Sequence, residues 1–153
     1  MKSSNVSVRS ANEADVATLV AFNRAMAAES EDKGLQEEVL ERGVRYLLAH
    51  PAEGFYLVAE ADGLLAGTLM VTFEWSDWRD GRFWWIQSVY VSPDHRRMGV
   101  YSALHQAVRS RAAGDPQACG IRLYVERENL GAQATYQSLD MVETAYRLYE
   151  EEF

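Results

Sequence analysis

Residues 83–125 run as strand, turn, helix and strand, and this succession restricts the fold more than any other feature of the chain. Residues 83–91 are aromatic and β-branched, and Pro93 closes them. From Gly99 to about Ala113, Val100, Leu104 and Val108, with Ala103 and Ala107, recur at helical spacing, and Gly114-Asp115-Pro116 ends the helix. Ile121-Arg122-Leu123-Tyr124-Val125 is strand-like again. A strand–helix–strand unit predicts two parallel neighbours joined by a right-handed crossover. Anionic ligands of such units sit beyond the carboxyl ends of the strands, where the helix N-terminus points. The loop Arg96-Arg97-Met98-Gly99-Val100-Tyr101 falls there.

The other elements arrange themselves around this unit. Val6 and Val8 alternate with polar residues in a short strand. Asn12 is a helix cap, followed by Glu13 and Asp15 and then by an apolar face of Val16, Leu19, Val20 and Met26. Leu40, Val44, Leu47 and Leu48 mark a second helix, which His50-Pro51 stops. Residues 55–60 and 64–74 flank Ala61-Asp62-Gly63 as a hairpin. The segment from Trp75 to Gly81 returns the chain to Phe83. A helix over 129–139 and a last strand from Val142 to about Glu150 complete the order β-α-α-β-β-β-α-β-α-β. That order predicts an α+β or α/β fold around one central sheet. With no repeat or linker, residues 1–153 are expected to form one domain, long enough to bury a core without disulfides or metals.

Charge and composition exclude several functions. A net charge of -8 argues against a nucleic-acid binder, which needs a basic face. No apolar run approaches the roughly 20 residues of a membrane span. The opening Met1-Lys2-Ser3-Ser4-Asn5 leads into polar sequence, not a secretory core. The single cysteine, Cys119, precludes an internal disulfide and reads as a small core residue at the start of a strand. His95 and His105 are too isolated for a metal site. A cytoplasmic protein is expected.

The first turn of a helix has amides without intrahelical acceptors and carries the positive end of the dipole. Gly99 lets a bulky anion come close to this backbone, and Arg96 and Arg97 add charge. The stretch from Ser88 to Val100 resembles the acetyl-CoA-binding motif of the GNAT acetyltransferase superfamily, R/Q-x-x-G-x-G/A after a strand, at Arg96 and Gly99, with Tyr101 in place of the final Gly or Ala. Residues 129–141 resemble the family's N-x-x-A-x-x-x-Y-x-x-x-G-F through Asn129, Ala132 and Tyr136, with Asp140 in place of Gly. Asp tolerates a left-handed turn, so this exchange is expected to be structural. The resemblance covers the whole chain. It implies a GNAT-like mixed, mostly antiparallel sheet with a central βαβ unit, splayed parallel strands and helices on both faces.

It also implies acetyl-CoA as cosubstrate and an amine as acceptor, in direct attack within a ternary complex. Cofactor contacts are then expected from Val89, Tyr90, Val91, Arg96, Arg97, Met98, Gly99, Val100, Tyr101 and Asn129. An amide near Val89 would polarise the thioester carbonyl. Asn129 would touch the pantetheine arm or neighbouring backbone, and Tyr136 would be the general acid for the departing thiolate.

The base is less determined. Many family members carry a carboxylate at the end of the central strand, where this chain has Gln87 and Ser88. Glu74 is the candidate base through water, with Asp77, Glu29 and Glu31 as further acids. Arg79 is expected to pair with Asp77 or to meet a substrate carboxylate. Trp84 and Trp85 must face opposite sides of the sheet, so one joins the core. Trp85 and Trp75 are candidates for the acceptor pocket, where cation–π attraction for an amine is available, and the aromatic surface is also a candidate homodimer interface. The alternatives to an N-acetyltransferase are a non-catalytic acyl-CoA-binding or sensor module and a structural dimerisation domain.

Overall fold

The computed structural model describes residues 5–30 and 34–153. Its five strands are β1 (Val6–Ser10), β2 (Gly54–Ala61), β3 (Leu64–Ser76), β4 (Gly81–Val91) and β5 (Ala118–Leu123). They form one sheet in the order β1-β2-β3-β4-β5, antiparallel throughout except for the parallel β4–β5 pair. The helices are α1 (Val16–Ser30), α2 (Glu37–Ala49), α3 (Val100–Ala113) and α4 (Leu130–Ser138). The expected mixed sheet with its central βαβ unit is therefore present.

Local chemistry accounts for most boundaries. The Asn12 side chain accepts from the amide of Ala14, and Asp15 returns a bond to the amide of Asn12, a reciprocal cap that starts the first helical turn. Asp15 is buried and takes two hydrogen bonds from the Arg9 guanidinium, at 2.8 and 2.9 Å, which hold its carboxyl below the usual range. Asp62 and Gly63 both have positive φ, as the two-residue type I′ turn between β2 and β3 requires.

Two apolar layers enclose the sheet. On one face Val16, Leu19 and Val20 of α1 and Val44 and Leu47 of α2 pack on Tyr56 and Val58. On the other, Val100, Leu104 and Val108 of α3 pack on Leu57, Leu69, Val71, Trp84 and Ile86. Trp84 is the tryptophan that enters the core, and Trp85 points to the α1/α2 face. Among the described residues no helix is long and apolar enough to cross a membrane.

The expected strand over 142–150 does not form. The sheet ends at β5, and residues 142–153 have no strand partner. Alternation makes a segment competent for pairing, but a strand also needs a neighbouring edge within reach.

Candidate functional site

β4 and β5 pair from Arg82↔Ala118 to Ile86↔Leu123 and then part. β4 continues to Val91, so its last five residues have no strand neighbour on the β5 side. The same stretch is distorted. Thr68 faces Tyr90 and Met70 faces Gln87, so Ser88 and Val89 together oppose one residue of β3, and Ser88 has φ +52°. This is a β-bulge, which turns the strand and takes its backbone out of the ladder. The Val89 side chain packs on the α3 core, and Tyr90 is buried on the α1 side against Phe22.

Beyond Val91 a short 3-10 turn (Pro93–His95) leads into Arg96, and left-handed residues follow at Arg97 (φ +63°) and Gly99 (φ +79°). Gly99 is the N-cap of α3 and provides no capping side chain. The first-turn amides of α3 thus have no side-chain acceptor at the cap, and alternating left-handed backbone makes a concave anion site. The motif residues fit a pyrophosphate in this respect. Arg97 makes no ion pair among the described residues. Arg96 is engaged, because its guanidinium donates to Val91 O at 3.1 Å and to Glu29 at 2.8 Å. Glu29 also accepts from the Tyr90 hydroxyl at 3.2 Å. The end of α1 is thereby tied to the strand end and the loop.

Asn129 caps α4 by accepting from the Ala132 amide at 3.1 Å, so its side-chain oxygen serves neighbouring backbone. Gln133 donates to the carbonyls of Glu126 and Arg127 and ties the post-β5 loop to the helix. At the other end the amides of Met141 and Asp140 bond the carbonyls of Tyr136 and Gln137, with Asp140 at φ +66°. This is a Schellman stop in which Asp fills the position that glycine usually takes.

Tyr136 meets Tyr101 of α3 edge to face, and burial raises the pKa of both phenols. Behind Tyr101 lies His105, fully buried, with Nδ1 3.0 Å from the Tyr101 hydroxyl and Nε2 3.4 Å from the Arg109 guanidinium. Burial and then the Arg109 charge lower the His105 pKa, keeping the ring neutral. A guanidinium only donates, so Nε2 accepts and Nδ1–H donates to the Tyr101 oxygen. Arg109 also donates to Leu139 O at 2.7 Å, linking α3 to the end of α4.

On the α1/α2 face, strand alternation and register align Thr72 and Glu74 of β3, Trp85 and Gln87 of β4, and Arg122 of β5. Gln87 donates to the Thr72 hydroxyl. Arg122 bonds Glu74 at 2.7 Å, lies 3.6 Å over the Phe83 ring, and has Trp85 opposite it in register. Trp85 in turn packs on Tyr124.

Glu74 lies opposite Phe83, five residues before Ser88, which at about 3.3 Å per residue puts it roughly 16 Å from the bulge. That exceeds the reach of one water. Arg79 does not pair with Asp77; it donates to Ser76 and lies 4.9 Å over Phe83. Trp75 alternates to the face opposite Glu74, and Asp77 accepts from the Trp78 amide in the hairpin tip, so neither joins Trp85. Glu31 lies outside the described residues. Arg122, Tyr124, His105 and Arg109 lie outside the two sequence motifs. The β4–β5 register would have put Arg122 and Tyr124 beside Trp85, and the i, i+4 spacing of Tyr101, His105 and Arg109 on α3 aligns those three on one helix face.

The GNAT acetyltransferase family model matches residues 21–141. No curated protein matches. Among solved structures, a possible acetyltransferase from Clostridium difficile 630 is 42% identical, with a TM-score of 0.88 and 97% of each chain covered. A predicted acetyltransferase from Clostridium acetobutylicum, solved with acetyl-CoA, is 20% identical, with a TM-score of 0.78 over 95% of this chain and 96% of that one. An aminoglycoside N-acetyltransferase in complex with CoA is 18% identical, with a TM-score of 0.77 over 97% of this chain and 95% of that one. The last two share the fold. On the family match and the 42% identical structure together, this chain belongs to the GNAT acetyltransferase family.

Proposed function

We propose that this protein moves an acetyl group from acetyl-CoA to a primary amine, of a small molecule or a protein, by direct attack in a ternary complex. The observation that carries this is the parting of β4 from β5 after Ile86–Leu123, with the Ser88 bulge at the opening and the uncapped α3 N-terminus beyond it. In this reading the amides of residues 97–101 and the Arg97 guanidinium hold the pyrophosphate. Backbone near Val89 polarises the thioester carbonyl, whose carbon the amine attacks, and Tyr136 donates to the sulfur as the C–S bond breaks. An ordinary phenol giving its proton to a thiolate of pKa about 8.5 runs uphill by roughly 2 kcal/mol. Burial of Tyr136 steepens that further, so hydrogen-bond donation to the developing thiolate is its main contribution. Glu29, bonded to the Tyr90 hydroxyl and to Arg96, takes up the ammonium proton through water.

We also read residues 1–153 as one acetyl-CoA-binding domain, supported by the span of the family match and the 97% coverage of the Clostridium difficile structure. A cytoplasmic location is supported by the single cysteine, Cys119, which is free.

The test is thiol release from acetyl-CoA across an amine panel (polyamines, amino sugars, lysine peptides), alongside thermal melting with acetyl-CoA. At 100 times its dissociation constant the cosubstrate should stabilise the fold by about 2.7 kcal/mol. A melting shift with no thiol release from any amine would point to a non-catalytic acyl-CoA module instead. No melting shift would remove both.

A further inference from the structure

Two arginines converge on Phe83, at the end of β4 far from the bulge. The Phe83 ring lies against the backbone of Gly120, where an added Cβ would come within 2.7 Å of a ring carbon. The Arg122 guanidinium lies 3.6 Å from the ring centroid and the Arg79 guanidinium 4.9 Å from it. Arg79 is exposed, donates to the Ser76 hydroxyl and makes no ion pair among the described residues. Glu74 faces Phe83 from β3 and pairs with Arg122. Asp77 accepts from the Trp78 amide in the hairpin tip. In a chain of net charge -8, the charge placed on this ring is nevertheless more positive than negative.

The strip from Phe83 to the bulge has a definite order of chemistry on the α1/α2 face. The two guanidiniums come first. Trp85 follows, half-buried, with the Tyr124 ring packed on it. Next are Gln87 and Thr72, whose side chains bond each other. Ser88, with its positive φ, closes the strip. Five residues at about 3.3 Å each span roughly 16 Å. A nucleophile stands about 3 Å from the carbon it attacks, and a charge-assisted hydrogen bond takes about 3 Å at the other end. Roughly 10 Å is left between the amine and a group held at Phe83.

Resting on the acetyl-transfer reading above, we propose that the acceptor is an amine with an anionic group, a carboxylate or a phosphate, about 10 Å from its nitrogen, and that Arg122 and Arg79 hold this group at Phe83. Arg122 is stacked on the ring and bonded to Glu74 through one nitrogen, so its plane is fixed and its other N–H groups remain for an anion. Arg79 adds charge from the hairpin tip. A second ammonium in the same place would meet two guanidiniums, with Glu74 already engaged, so diamines are disfavoured. The Trp85–Tyr124 pair between the two ends favours an apolar spacer.

The experiment compares 8-aminooctanoate, 6-aminohexyl phosphate, octylamine, 1,8-diaminooctane and 4-aminobutanoate as acceptors, by thiol release at saturating acetyl-CoA. In the first two, nitrogen and acid centre are about 10 Å apart when extended; in 4-aminobutanoate they are about 5 Å apart. At least one of the two long anionic amines should have a kcat/KM tenfold or more above the other three, and the better of the two identifies the anion. Arg122→Gln and Arg79→Gln should each cut that preference at least threefold, with the acetyl-CoA melting shift reporting that each variant is folded. Octylamine or the diamine turning over as well as both anionic amines overturns the proposal, and so does a preference that survives both substitutions. If no amine releases thiol, calorimetry of the two anionic amines with the CoA-loaded protein decides. Binding that needs the arginines keeps the anion site while the acetyl-transfer reading falls; no binding overturns the site as well.

Discussion

The rings of Tyr101 and Tyr136 meet edge to face, with centroids 5.5 Å apart and planes at 69°. Tyr101 stands where the family motif has Gly or Ala, and it serves as the wall that fixes the Tyr136 ring. Tyr136→Phe keeps that packing and removes only the hydroxyl. We expect kcat to fall about 100-fold, in the range for a lost proton donor, with the KM for acetyl-CoA changing less than threefold. Steady-state kinetics decide it, and an unchanged kcat would remove Tyr136 as the donor.

Acid should loosen the fold in two stages. His105 has a lowered folded pKa, so below about 6.5 the unfolded chain binds a proton that the folded chain refuses. Stability therefore falls as pH drops through that value. Asp15 also has a lowered folded pKa, through Arg9, and its contribution is present above about 3.9 and lost below it. Urea midpoints from pH 8 to 3 should decline first near 6.5 and again below 4. In His105→Asn the first decline should vanish and the second persist; a first decline retained in that variant would assign it elsewhere.

How much of this was legible in the sequence depends on how local each cause is. The β4–α3–β5 unit, the Asp62-Gly63 turn and the Asn12 cap follow from periodicity and from backbone demands that short motifs express. Asp140 was also readable, because it stands in place of a glycine at a helix end. Ser88 was not: nothing near it announces a positive φ, which arises where β4 must shift register against β3. The 142–149 segment has a strand's alternation and no strand's partner, since pairing belongs to tertiary or quaternary structure. The distance of Glu74 from the bulge and its bond to Arg122 follow from strand register, which no local motif expresses.

Gly99→Ala separates backbone conformation from contact. A Cβ at this position meets nothing within 4 Å, so sterics with neighbours cost nothing. The left-handed φ of +79° remains, and a non-glycine residue there costs roughly 1–2 kcal/mol. We expect a lower Tm and, because the αL cap shapes the anion site, at least fivefold weaker acetyl-CoA binding by calorimetry. A drop in Tm with unchanged affinity would show that the pyrophosphate does not use this turn.

The base assignment rests on where each carboxylate sits, and a matched pair of variants tests it. Glu29 accepts from Tyr90, two residues past the bulge at Ser88, whereas Glu74 faces Phe83, five residues before the bulge, and is bonded to Arg122. Glu29→Gln should lower kcat about 100-fold, the lower end for general-base catalysis. Glu74→Gln should keep kcat within about twofold, and any effect should appear in the acceptor KM, because Arg122 loses its charged partner beside Trp85. Since Glu29 also pairs with Arg96, Arg96→Gln is the control for that ion pair; it should alter acetyl-CoA affinity more than kcat. If both glutamate variants keep full kcat, the ammonium proton leaves directly to solvent. If Glu74→Gln alone is inactive, the acetyl group is delivered near Phe83 and not at the bulge.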